Sequence, residues 1–296
     1  MSVLSDHSPS APAWFADAHA ALPKPERWDP GEDVPWSMPI ILHMPKDPRP
    51  SRTALLEAAA TAVVACCLDE RAAAVPGAAA SGAAVPAAAP GAAASASDTA
   101  NASADDGSGS FAAGLRGWYG ARIRKIARRA RNVHWERVQD LPGVTATVSG
   151  ASARALVPCP VADTDPIVGK LQIGGTELPA EDAAPVDVGG RGGVPVIWVD
   201  ADLGMTVGKA AAQVGHGSML LAAVLDADAA WRWARDGFPL QVREVPREGL
   251  PDDAEADVVV HDAGFTEISP GSATVRVTGG RYVQDWRRAS AGLVQG

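Results

Sequence analysis

Cysteine is nearly absent. The chain of 296 residues holds only Cys66, Cys67 and Cys159, two of them adjacent. That leaves neither a disulfide framework nor a Cys-x-x-Cys zinc ligand pair, so no metal site and no cofactor are expected. Lysine is scarce as well: Lys24, Lys46, Lys125, Lys170 and Lys209 stand among 26 basic residues. A formal net charge of −9 removes any whole-chain attraction to phosphate, so contact with nucleic acid has to be local. No apolar run approaches the roughly 20 residues that span a bilayer. The opening MSVLSDHSPSAPAWF lacks a basic stretch followed by an apolar one. No secretory signal and no membrane partner are therefore expected, and the expected compartment is the cytoplasm.

What is present reads as an α/β chain in two parts. Residues 1–33, rich in Pro, Asp and Ser, are expected as a flexible tail. Residues 34–178 form an N-terminal domain of α/β or α+β type. It starts with a strand at Val34–Met44, where Pro39 points to a sheet edge or a delayed start. A helix capped by Ser51 follows over SRTALLEAAATAVVACCLDERA. Residues 73–110 are almost all Ala, Gly, Pro, Ser and Asp, and are expected as a disordered insertion. Leu115–Arg137 shows apolar spacings of three and four and predicts a second helix. Arg122, Arg124, Lys125, Arg128 and Arg129 lie on its polar side. They read either as a solvated face or as an RNA phosphate contact, and RNA contact is the functional expectation. Two short strands, VTATVSG and ASARALVP, precede a linker over 179–193.

The second part, 194–280, predicts a small mixed sheet flanked by helices, with a tail over 281–296. Its strands are VPVIWVD, FPLQVREV, ADVVVHD and ATVRVTG, and a helix runs from Thr206 to about Arg235. The stretch GMTVGKAAAQVGHG opens that helix. A P-loop is excluded: only three residues separate Gly204 from Gly208, and Ala210 stands where the magnesium-binding hydroxyl belongs. On a helical wheel Ala211, Val214, Ser218, Leu221 and Leu225 face the sheet. Lys209, Gln213 and His216 share a narrow wedge opposite, flanked by Ala212, Gly215 and Gly217. Lys209 with free amides of the helix N-terminus forms an anion or oxyanion site. Asp262 ends a strand at the carboxyl edge, where it meets Lys209 and His216 if the two strands run parallel. It also reads as a turn-capping residue before Ala263-Gly264.

At these two blocks the sequence resembles the type II peptidyl-tRNA hydrolases. The matching positions are Gly208, Lys209, Ala211, Gln213 and His216, then Asp262, Ala263, Gly264, Thr266, Pro270, Gly271, Ser272, Thr274 and Val275. The whole chain is similar to longer actinobacterial members, which carry an extra N-terminal domain. The resemblance implies hydrolysis of the ester of peptidyl-tRNA without metal or organic cofactor. It also implies catalytic roles for Lys209, Asp262, Gln213, His216 and Thr266, with Asp262 or His216 as the base, and pairing as a homodimer. Two positions depart from the family: Val207 replaces a Lys, and Asp200 replaces an Arg. These departures favour an alternative, a catalytically impaired RNA- or protein-binding module on the same fold.

The N-terminal half also reads as a degenerate copy of the C-terminal one, an internal pseudo-dimer. PIILHM before SRTALLEAAATAVV echoes PVIWVD before MTVGKAAAQVGHG. VTATVSGASARALV echoes FTEISPGSATVRV. Different strand orders in the two halves would end this reading.

Overall fold

A computed structural model describes residues 10–23, 34–73, 108–121, 123–181, 193–262 and 268–293. The insertion expected over 73–110 falls mostly outside these, as do Arg122, Ala263, Gly264 and Thr266. The protein is α/β, with two mixed sheets flanked by helices. The N-terminal part runs α1 (Ala13–Ala20), β1 (Trp36–His43), α2 (Arg52–Cys67), α3 (Ser108–Tyr119), β2 (Ile123–Ala130), α4 (Val133–Val138), β3 (Gly143–Val148), β4 (Ala151–Leu156), β5 (Cys159–Pro160) and α5 (Pro166–Gly169). The C-terminal part runs β6 (Val196–Asp200), α6 (Val207–Val224), α7 (Ala227–Arg235), β7 (Gln241–Val245), β8 (Val258–His261), β9 (Ala273–Thr278) and α8 (Gly280–Leu293).

Several expectations are corrected. The helix predicted over Leu115–Arg137 is three elements. α3 ends beside Gly120, and Ile123–Ala130 pairs in parallel with all eight residues of β1. Its apolar spacing suits a helix, but the neighbouring strand supplies a full ladder and buries Lys125, Ala127 and Ala130, so tertiary pairing overrides the local period. Pro39 does not put β1 at an edge. β4 covers Ile40–Leu42 and β5 covers Trp36–Ser37, so Pro39 sits at the gap between these two neighbours, where no ladder bond is needed. The tail over 1–33 contains α1, with Phe15 buried against Trp231 and the His19 Nε2–H donating to Ala222 O. The tail over 281–296 contains most of α8, with Tyr282 and Val283 buried. The helix expected to reach Arg235 breaks at Leu225, whose extended ψ of 156° ends α6 before Asp226 caps α7.

The two sheets share one topology. The first has the order β2-β1-β4-β3 and the second β7-β6-β9-β8. In each, the first strand is parallel to the second and antiparallel to the fourth, and the third is antiparallel to the fourth. The inward pairs correspond as well. Ile40–Ala155 and Leu42–Ala153 match Ile197–Val277 and Val199–Val275, with Arg154 and Arg276 between them. The echo of PIILHM with PVIWVD is thus offset by one residue. The counterpart of β3 is β8 rather than the segment from Phe265 that the echo suggests.

α2 and α6 lie together between the sheets. α2 packs on β1, β3 and β4, and α6 on β6, β8 and β9. Each also reaches the far sheet's edge strand, α2 touching β7 and α6 touching β2. Covered on several sides, α2 is apolar nearly all round rather than striped. Both helices carry the same cap: Ser51 accepts from Ala54 N and Thr206 from Lys209 N, each at 3.2 Å. Aligning the helices on these caps makes Ala60 the counterpart of Gly215 and Val63 that of Ser218. The contacts follow this exchange. Ser218 Oγ donates to Ala60 O at 2.8 Å, and a Cβ added to Gly215 would lie 2.8 Å from Val63 Cγ2. The halves therefore meet about a local two-fold. Ser218 faces α2, not the sheet, and Gly217 takes the sheet side, where a Cβ would meet Val277 at 2.9 Å.

Gly215→Leu is expected to lower unfolding free energy by about 1–3 kcal/mol through overpacking against Val63. Val63→Ala in the same chain should recover part of that loss, and urea denaturation of the single and double variants measures both.

Candidate active site

β6 and β8 are both antiparallel to β9, so they run the same way and deliver α6 and Asp262 to one sheet edge. Lys209, Gln213 and His216 rise one turn apart on α6 and meet Asp262 in a cavity of about 360 Å³. Lys209 Nζ forms an ion pair with Asp262 Oδ2. The same oxygen accepts from Gln213 Nε2 at 2.8 Å. Thr274, fully buried on β9, places its hydroxyl 3.0 Å from Gln213 Oε1 and 3.2 Å from Val260 O, which fixes the amide so that its NH₂ faces the carboxylate. The backbone holds Asp262 itself: its N–H donates to Ser272 O and its carbonyl accepts from Gly271 N, at 2.9 and 2.8 Å. The carboxylate is 5 % exposed, a burial made tolerable by an ammonium and an amide donor at one oxygen.

The helix N-terminus is not the free anion site expected from the sequence. Gly208 N–H donates to Thr176 Oγ1 at 3.2 Å, Lys209 N–H to Thr206 Oγ1, and Ala210 N–H to Thr206 O at 2.8 Å. With these amides satisfied, the positive charge offered to the cavity is that of side chains. His216 is held well below the usual imidazole range, first by burial and then by the charges of Lys125 and Lys209, so it is neutral at pH 7.

One wall of the cavity comes from the N-terminal half. Ile123, Arg124, Lys125, Ile126 and Ala127 of β2, with Ile173, face α6 across it. Of the residues predicted to contact RNA, Arg124 and Lys125 reach this cavity, while Arg128 and Arg129 lie farther along β2. Arg128 donates to Leu171 O at 2.8 Å and Arg129 is bonded to Gln172. Lys125 is not an exposed phosphate contact. Its Nζ sits 4.7 Å over the Trp118 ring and 3.8 Å from Met219 Sδ. Sequence reasoning missed Ile173 and Thr176, which lie in a stretch without any periodic signal. It placed Thr274 in the second motif but gave it no part in the site.

The two departures have structural partners. Val207 is fully buried in the core. Asp200 is 2 % exposed, accepts from Arg247 at 2.9 Å and caps Asp202 N at 3.0 Å. Arg247 is two-thirds exposed, so a cation from the loop after β7 stands beside this reversed charge.

A carboxylate, an ammonium and an amide thus meet at the carboxyl edge of a small mixed sheet in an α/β domain. Residues 194–285 match the family described as peptidyl-tRNA hydrolase PTH2. Over 91 residues the chain is 35 % identical to a protein of Schizosaccharomyces pombe named probable peptidyl-tRNA hydrolase 2. That alignment covers 27 % of this chain and 44 % of the relative, so the chain spans less than half the length of the curated relative it matches. No solved structure matches. Among the described residues, no helix is long and apolar enough to cross a membrane.

Burial pushes the Lys125 pKa from 10.5 down to about 7. A base with a lower folded than unfolded pKa costs stability wherever the unfolded chain binds a proton the fold refuses. The cost grows as pH falls from about 10.5 to about 7 and then levels. Lys125→Met, matched in shape, should therefore be more stable than the parent at pH 7, by up to ~5 kcal/mol. The gap should close towards pH 10.5. Denaturation of both proteins at several pH values tests this, and a pH-independent gap would show that the amine keeps its proton when folded.

Proposed function

We propose that the protein hydrolyses the ester joining a peptide to the 3′ ribose of tRNA, in the cytoplasm and without a metal or cofactor. The observation that carries this reading is the buried Asp262 oxygen shared by Lys209 and Gln213, inside a segment of matching family. In this reading Asp262 orients the attacking water. Lys209 has three N–H donors and spends one on Asp262, so the others can meet the oxyanion that develops on the ester carbonyl. Gln213, locked by Thr274, keeps the carboxylate in place. His216 is neutral and its basicity is depressed, which favours Asp262 over His216 as the water's partner. The imidazole then positions the ribose or the peptide end. Thr266 keeps the positioning role that the resemblance implies.

Arg124 lines the same cavity and is assigned to the RNA, and Arg122, one residue before β2, is assigned with it. The equal strand orders support reading the N-terminal half as a built-in partner of the hydrolase half.

The test is single-turnover hydrolysis of a peptidyl-tRNA by the full chain beside Lys209→Ala and Asp262→Asn. Each variant should lose on the order of 10²–10⁴ in rate, with tRNA binding retained by Asp262→Asn. An intact, tRNA-binding parent without turnover would replace this reading by that of a binding module.

A further inference from the structure

β2 continues past the catalytic cavity. Four residues beyond Lys125, roughly 13 Å along the strand, Arg129 enters a second cavity of about 240 Å³. Arg131, His134 and Lys170 line it, together with Met44, Ala130, Leu171 and Gln172, and no carboxylate does. Among the described residues none of Arg129, Arg131 and Lys170 pairs with an Asp or Glu, whereas seven arginines elsewhere do. In a chain of net charge −9, cations gathered in one concavity without a carboxylate focus a local positive potential that attracts an anion from outside. The chain also ties this cavity to the first. Arg129 N–H donates to Gln172 O at 2.9 Å, and its guanidinium lies over Gly175, where a Cβ would come within 2.9 Å. The next residue, Thr176, holds Gly208 N of α6. Thus β2 and residues 172–176 run side by side from the cationic cavity to the helix turn that carries Lys209.

We propose that this cavity binds a phosphodiester of the substrate's single-stranded 3′ end while the ester lies at Lys209 and Asp262. The distance is the reach of a few unstacked nucleotides. Arg131 supplies a planar fork and Lys170 a point charge, a pairing suited to phosphate oxygens. The position of the ester rests on the hydrolase reading, whereas the phosphate contact does not.

The experiment uses the full chain and Arg131→Glu/Lys170→Glu. A fluorescent oligoribonucleotide with the 3′-terminal tRNA sequence and no ester is titrated by anisotropy over a range of salt. The variant should bind at least tenfold more weakly, with a salt slope shallower by ~0.7 for each phosphate it no longer neutralises. In parallel, kcat/KM on peptidyl-tRNA should fall by a similar factor. Hydrolysis of an N-acyl-aminoacyl ester of adenosine, which has no phosphate, should be unchanged.

Equal oligomer binding by parent and variant overturns the proposal whatever the hydrolysis shows, as does inorganic phosphate bound by the parent as tightly as the oligomer. Weakened oligomer binding in the variant, with no turnover of either substrate by the parent, keeps the phosphate site and removes the esterase reading. If circular dichroism shows the Glu pair misfolded, Arg131→Gln/Lys170→Gln decides instead, with a smaller loss of oligomer binding expected.

Discussion

The close approach of α2 to α6 is the contact on which the rest of the structure depends. It is made by small residues: Gly215 leaves room for Val63, and Ser218 bonds directly to the backbone at Ala60. A larger residue at either crossing would push the sheets apart, because close-packed interiors transmit strain rather than absorb it. The same approach sets β2 of one sheet beside the first turns of α6 on the other. The cavity that holds Lys209 and Asp262 exists because of that placement. Its floor is the helix and strand end of the segment that matches the family model, and its wall belongs to the other half of the chain.

Position 207 lies in the first turn of α6. Here it is fully buried, and an ammonium would lose its water without gaining a partner. Valine follows from the packing. Asp200 meets a local need: its carboxylate caps the turn after β6 and anchors Arg247. Neither substitution touches the Lys209–Asp262–Gln213 cluster.

Much of the site was legible in the sequence, and the reason is physical. Lys209, Gln213 and His216 belong to one helix, where spacing alone fixes a shared face, and Asp262 terminates a strand whose direction follows from the topology. What stayed hidden depended on contacts between segments far apart in the chain. The run Ile123–Ala130 has an apolar spacing that fits a helix, and only the presence of β1 alongside makes it a strand. The Gly208 amide at the start of α6 looks free until Thr176 arrives from the other half. Pro39 signals an edge until the break between β4 and β5 is seen beside it. The likeness of the two halves was suggested by the sequence echoes, but the register was off by one on the first strand and misassigned on the third. Apolar strands of similar composition align almost equally well in several frames.

The halves differ most where the third strand meets the fourth. In the N-terminal half, Ser149 and Gly150, both at positive φ, make a tight hairpin between β3 and β4. In the C-terminal half residues 262–272 separate β8 from β9, and the Asp262 carboxylate stands at the start of that segment. Where the counterpart of the Lys209–Asp262 cleft would lie, Arg52 pairs with Glu244 at 2.6 Å and Glu57 accepts from Val242 N at 3.1 Å, so side chains occupy the edge of β7. Two identical subunits related by a two-fold must use one sequence for both positions, so any change in one pocket appears in the other. Two like halves in one chain are free of that constraint. One half keeps the loop that carries Asp262. The other has a two-residue turn at that place, and its edge strand lines the Lys209–Asp262 cleft with Arg124 and Lys125.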